Sequence, residues 1–223
     1  NHLHPEYVAT SHNLLIENKE IGVAGGRGYA VADGELPYWF TTYQGSFAVG
    51  VQALYSCDIT RRKYVWGAGM AFRRLDYVSL IKSGFKNIGS DRKGNTLHSG
   101  GDSEICRWFV LVGKRLYYSE DLVFGPYMPD QRLTKDYLER LQQGLSLSPQ
   151  FLKKYDLVTD RVQFGVKYAI KMIVRGLFRM NIGLLQTGLS LFFLDSSVLD
   201  IDKSLGSIKK AYVRYQREYT GAR

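Results

Sequence analysis

The chain has 223 residues, 45% hydrophobic and 13% aromatic, with 23 Gly and only 5 Pro. That length and composition suit one folded domain with an appendage, and they exclude a disordered chain, a collagen-like repeat and a disulfide-stapled mini-protein. The formal charge of +9 points to a polyanionic partner, and it is unevenly placed: residues 1–150 carry 17 basic and 15 acidic side chains, residues 151–223 carry 13 and 6.

In chain order, residues 5–18 are expected to form a helix with Pro5 in its first turn and Val8, Leu14 and Leu15 as apolar positions. Residues 21–24 read as a short buried strand ending at Gly25-Gly26. Asp33-Gly34 marks a turn, and residues 36–40 form an aromatic loop containing Pro37. Residues 49–55 and 64–66 are expected as strands, and residues 74–82 as a helix closed by Gly84. A polar, Gly-rich loop over 91–101 precedes a helix over 103–112 ended by Gly113, then a strand over 115–118. A helix over 134–143 is expected to stop at Gly144, and Ser148-Pro149 to open a new helical region. Strands alternating with helices give an α/β core over residues 1–147, followed by a helical tail over 148–223.

The tail holds a distinctive pattern. No acidic residue occurs from 161 to 194, and Lys167, Lys171, Arg175 and Arg179 recur at every fourth position. On a helix that spacing makes one slowly drifting basic stripe, with Val166, Ile170, Ile173, Val174, Leu177, Phe178 and Met180 around it. The apolar run over 182–194 is too short for a membrane span of about 18–20 residues. A basic amphipathic helix followed by such a run is expected to anchor the chain on an anionic membrane surface through residues 161–194. The alternative is a solvated basic face on a helix packed against the core. The long apolar run argues against nucleic acid as the partner.

Cys57 and Cys106 are far apart in sequence, without Cys-x-x-Cys spacing, and read as small buried hydrophobes in a reducing compartment. The N-terminus shows no signal-peptide pattern. A cytoplasmic location, peripheral to the inner face of the plasma membrane, is therefore expected. The chain does not begin with Met, which suggests that it starts inside a longer protein.

Among motifs, the glycines between Gly22 and Gly28 could cradle a phosphate, but they lack a Walker or Rossmann pattern and suit a strand-ending turn better. His2, His4 and His12 do not have the spacing of a zinc site. Residues 97–106, which include His98, place Asp102 and Glu104 directly after Gly100-Gly101 at a helix start. A carboxylate there can take a proton from an incoming hydroxyl, and the glycines let a bulky substrate approach the backbone. The same two residues also suit an N-cap and a first helical turn.

Several segments, taken in order, resemble the C-terminal half of a family 2 glycosyltransferase. These are residues 21–26, Pro37-Tyr38-Trp39-Phe40, the stretch 65–73, Gly101-Asp102-Ser103-Glu104-Ile105, and Met128-Pro129-Asp130-Gln131-Arg132-Leu133-Thr134. The resemblance covers about residues 1–145. It implies an incomplete GT-A core and transfer of a sugar from a nucleotide-sugar donor to a saccharide or lipid-linked acceptor, in bacterial surface polysaccharide or glycolipid synthesis. Asp102 falls on the catalytic-base position and Glu104 on the second acidic position, where it would orient the acceptor. Trp39, Trp66, Gly67, Ala68, Gly69, Arg73, Gly100, Gly101 and Arg132 fall on substrate-binding positions. The complete enzyme is expected to use a divalent metal, Mn or Mg, whose Asp-x-Asp motif would lie upstream of Asn1. The His that often precedes the Met-Pro element is replaced here by Phe124-Gly125-Pro126-Tyr127, so this chain supplies no evident metal ligand. The missing donor half leaves an alternative: a catalytically inert, membrane-associated fragment or interaction module.

Overall fold

A computed structural model describes residues 1–85 and 100–193; residues 91–99 of the expected loop over 91–101, with His98, and the tail beyond 193 lie outside the described residues. The chain folds as a mixed α/β structure around one five-stranded sheet. Strand β1 (His2–Leu3) is followed by helix α1 (Tyr7–Glu17) and strand β2 (Ile21–Gly28). Next come a short helix α2 (Phe40–Tyr43), strands β3 (Cys57–Asp58) and β4 (Met70–Phe72), and helix α3 (Arg74–Lys82). Helix α4 (Gly101–Leu111) leads into strand β5 (Arg115–Gly125), and two helices end the described chain, α5 (Lys135–Phe178) and α6 (Ile182–Phe193).

Strand β5 organises the sheet. It pairs in parallel with β2 along one edge, while β1 and β3 pair antiparallel with its other edge at opposite ends; β4 closes the far side of β2. Both central strands are longer than expected, because β2 does not end at Gly25-Gly26. Its glycines are needed inside the strand. A Cβ on Gly26 would lie 1.7 Å from the carbonyl oxygen of Leu122, and one on Gly25 would lie 2.1 Å from Val65 Cγ1. Residues that resembled a turn or a phosphate loop are therefore the places where neighbouring chain approaches the strand too closely for any side chain. The expected strands over 49–55 and 64–66 do not form; Gly50 contributes only one bridge, to Gly28.

The main core lies where α4 meets the sheet. Val23, Val65, Cys106, Phe109, Leu111, Leu116 and Tyr118 are buried together, with Leu152 and Tyr155 of α5 in the same cluster. Both cysteines are free thiols, Cys106 buried and Cys57 partly so.

Helix α5 corrects the expected break at Gly144. It runs unbroken from Lys135 to Phe178, through Pro149, so the 147/148 boundary falls inside one helix. An internal Pro costs a helix about 3 kcal/mol, and tertiary contacts outweigh it here. Tyr155 donates to Glu104 Oε1 at 2.6 Å and accepts from Trp108 Nε1 at 3.3 Å. Asp156 meets Arg107 at 2.8 Å, and Asp160 meets Lys63 at 2.6 Å. These contacts fasten the middle of α5 to α4 and to the loop before β4. No helix among the described residues is long and apolar enough to cross a membrane.

Candidate functional site

An open cleft of about 870 Å³ lies between the N-terminal end of α4, the loop over 62–68, the segment 126–132 and the first half of α5. Gly100, at φ 151, turns the chain into α4, and Asp102 follows as the helix's second residue. At that position the carboxylate meets free backbone amides. Asp102 Oδ1 accepts from the Ser103 amide at 2.7 Å and Oδ2 from the Gly67 amide at 2.9 Å. Each oxygen retains a lone pair, so the group is oriented without being used up. Gly67 matters twice, since a Cβ there would sit 3.1 Å from both Asp102 Cβ and Oδ2.

The wall beside Asp102 is aromatic and cationic. The Arg62 guanidinium lies 4.2 Å from the Tyr64 ring centroid and 5.4 Å from that of Trp66. Its Nη1 donates to the Gln52 carbonyl at 2.7 Å. Buried Gln52 holds this wall to the sheet: its Oε1 accepts from the Trp66 amide at 2.9 Å and its Nε2 donates to the Gly26 carbonyl at 3.0 Å. The requirement for Gly25 follows, because a Cβ there would come within 2.8 Å of Gln52 Nε2. Tyr127, Arg132 and Tyr137 also line the cleft, as do Leu141, Leu145 and Leu152 of α5. The cleft thus offers one oriented carboxylate, flat apolar rings, and the guanidinium groups of Arg62 and Arg132.

Six sequence-derived candidates meet in this cleft: Trp66, Gly67, Ala68, Gly100, Asp102 and Arg132. The others are placed elsewhere. Glu104 is fully buried and faces α5, bound to Tyr155. Two residues along a helix turn the side chain by about 200°, which carries Glu104 away from the cleft that Asp102 faces. There it fastens α5 to α4, outside the cleft lining where an acceptor-orienting group was expected. Arg73 serves the fold as well. It pairs with Asp76 at 2.8 Å and donates to the Leu15, Lys19 and Ile21 carbonyls, joining the end of α1 to the start of β2. Trp39 packs in a small core with Phe40, Val49, Met128 and Leu138. Gly69, at φ 65, fits against the Phe124 ring and accepts from the Tyr7 hydroxyl at 2.6 Å, while Gly101 is buried at the start of α4.

Sequence reasoning missed Arg62, Tyr64, Arg107 and Asp156. Three consecutive basic residues, Arg61 to Lys63, run directly into Tyr64 and Trp66, which was a readable signal for the first two. Nothing local announced that Arg107 and Asp156, 49 positions apart, would pair at the cleft's inner end. Among the described residues no three His, Cys, Asp or Glu side chains cluster as a metal site. Of the two cleft aspartates, Asp156 is already held by Arg107 and Lys63. Among the described residues, these side chains do not by themselves supply a ligand set for Mn or Mg. No protein-family model matches the chain, and no curated protein matches it.

Proposed function

We propose that the chain is the acceptor side of a glycosyltransferase with a GT-A core, in which Asp102 is the general base. The supporting observation is the Asp102 carboxylate, held at the cleft by two backbone amides beside the half-buried Arg62–Tyr64–Trp66 wall. Sugar rings carry apolar C–H faces that lie against aromatic rings, so Trp66 and Tyr64 suit a saccharide acceptor. The donor is a nucleotide-sugar, and the setting is bacterial surface polysaccharide or glycolipid synthesis.

In the reaction the acceptor hydroxyl gives its proton to a free lone pair of Asp102. The oxygen attacks the anomeric carbon from the side opposite the leaving group. As that C–O bond forms, the bond to the nucleoside diphosphate breaks and its electron pair leaves on the diphosphate oxygen. The configuration inverts. Base catalysis of this type contributes about 10²–10⁴-fold.

The test is Asp102→Asn in the complete enzyme, assayed with a panel of nucleotide-sugars and manganese. The variant keeps the side chain's size and one of the two backbone-amide acceptances, from Gly67 or from Ser103, so it should fold and lose at least about a hundredfold in kcat. Near wild-type transfer would sink the base assignment. An inert interaction module predicts a different outcome: no nucleotide-sugar binding at all, with or without the substitution.

A further inference from the structure

Helices α5 and α6 fold back on each other as an antiparallel hairpin. Two glycines let the backbones touch: a Cβ on Gly176 would lie 2.6 Å from the Leu185 nitrogen, and one on Gly188 2.7 Å from the Ile173 nitrogen. The apolar run over 182–193 therefore already has a partner along part of its length. Among the described residues of the hairpin, apolar exposure is greatest at the tip. There Leu177, Phe178, Met180 and Ile182 are 60%, 86%, 91% and 70% exposed.

This tip is built, not frayed. The Asn181 amide donates to the Gly176 carbonyl and the Met180 amide to the Leu177 carbonyl, the paired bonds of a helix-ending turn. Asn181 then starts α6, its Oδ1 accepting from the Leu184 amide at 3.0 Å. The turn's special position, usually glycine, is occupied by Met180 at φ 47. A side chain there costs roughly 1 kcal/mol, and this one is almost wholly in solvent. The fold gains nothing from it. Around the tip Lys171, Arg175 and Arg179 are exposed, and no acidic residue lies between 161 and 194.

We infer that the α5–α6 tip is a bilayer-docking element: Leu177, Phe178, Met180 and Ile182 enter the interface while Lys171, Arg175 and Arg179 meet anionic headgroups. Charge selects this occupant. A second copy of the tip would bring its own cations against these, and a neutral protein groove would leave them unmatched. The inference is independent of the chemistry in the cleft.

The test is co-sedimentation of the whole chain with phosphatidylglycerol–phosphatidylcholine vesicles and with phosphatidylcholine alone. Binding is expected to the anionic vesicles, to weaken with salt, and to fall about a hundredfold in K171E/R175E/R179E, each reversal counting for about fivefold or more. Phe178→Ser with Met180→Ser should abolish it. Met180→Gly guards against misfolding as an explanation: it should raise the melting temperature while weakening vesicle binding. Phe178→Trp should show blue-shifted emission on anionic vesicles only. Absence of binding to anionic vesicles at low salt, or binding unchanged by the serine variants, overturns the inference. So does a solution dimer that the serine variants dissociate, since a second copy would then cover the tip.

Discussion

Tyr155→Phe removes one oxygen atom from the junction between α4 and α5. That hydroxyl donates to Glu104 Oε1 at 2.6 Å and accepts from Trp108 Nε1 at 3.3 Å, and both Tyr155 and Glu104 are buried. No water can replace it without rearrangement. Loss of a hydrogen bond to a carboxylate costs about 1.5–3 kcal/mol, and an unsatisfied indole N–H adds to that, so the variant should lose roughly 2–4 kcal/mol. For a chain of 223 residues, an unfolding entropy of about 2.1 cal/mol/K per residue makes 3 kcal/mol a drop of about 6 °C in Tm. Urea unfolding followed by Trp fluorescence would measure it, because Trp108 sits in the junction. A double-mutant cycle with Glu104→Gln should give a coupling above about 1 kcal/mol. A loss below about 0.5 kcal/mol, or strictly additive effects, would show that α5 is not fastened to α4 through this contact.

Two further outcomes are expected. Gly67→Ala should lower kcat at least tenfold with stability changed by less than about 1 kcal/mol, because the new methyl presses on Asp102 at 3.1 Å while the residue needs no glycine-only backbone angle; steady-state kinetics beside a melting curve would show whether the two separate. Burial pushes the Cys106 thiol from 9.0 up to about 12 and the Tyr7 hydroxyl from 10.0 up to about 12. The unfolded chain releases both protons at lower pH than the folded one, so stability is full below pH 9 and falls as pH rises toward 12. At 1.36 kcal/mol per pH unit, Cys106 alone accounts for about 3 kcal/mol by pH 11. Urea midpoints from pH 8.5 to 11 should slope downward, less steeply in Cys106→Ala; a flat profile would contradict the burial.

The parts of the fold that were legible in sequence are those with local punctuation. Helix α1 begins after Pro5 and α3 stops before Gly84, close to where those residues predicted. The central strands were underestimated because the requirement at Gly25 and Gly26 is set by Val65, Gln52 and Leu122, which are remote in sequence. Helix α5 crosses Gly144 and Pro149 for the same kind of reason, since its bonds to Glu104, Arg107 and Lys63 are invisible to any local rule. In the site, Asp102 and Gly67 were legible because both belong to one contiguous stretch each. Arg73 and Trp39 lie outside the cleft lining, because sequence resemblance carries position along the chain, not the direction of a side chain.

The length of α5 also bears on how a membrane contact and the cleft could work together. Leu152 lines the cleft and Phe178 lies 26 residues further along the same helix, about 39 Å at 1.5 Å per residue. A helix lying flat would bring both to the surface; one entering tip-first would hold the cleft well above it. The exposure gradient distinguishes these. At the tip the apolar residues are 60–91% exposed, whereas Ile170 and Val174, about two turns and one turn back, are 47% and 44% exposed. They also alternate with the exposed cations Lys167 and Lys171, which would stay at headgroup level or outside it. Apolar exposure that peaks at the end of a helix and is diluted by charge behind it fits shallow, tip-first contact. Under the function proposed above, such contact would hold the cleft away from the bilayer, within reach of the outer sugars of a membrane-anchored acceptor and not of a headgroup lying in the surface itself.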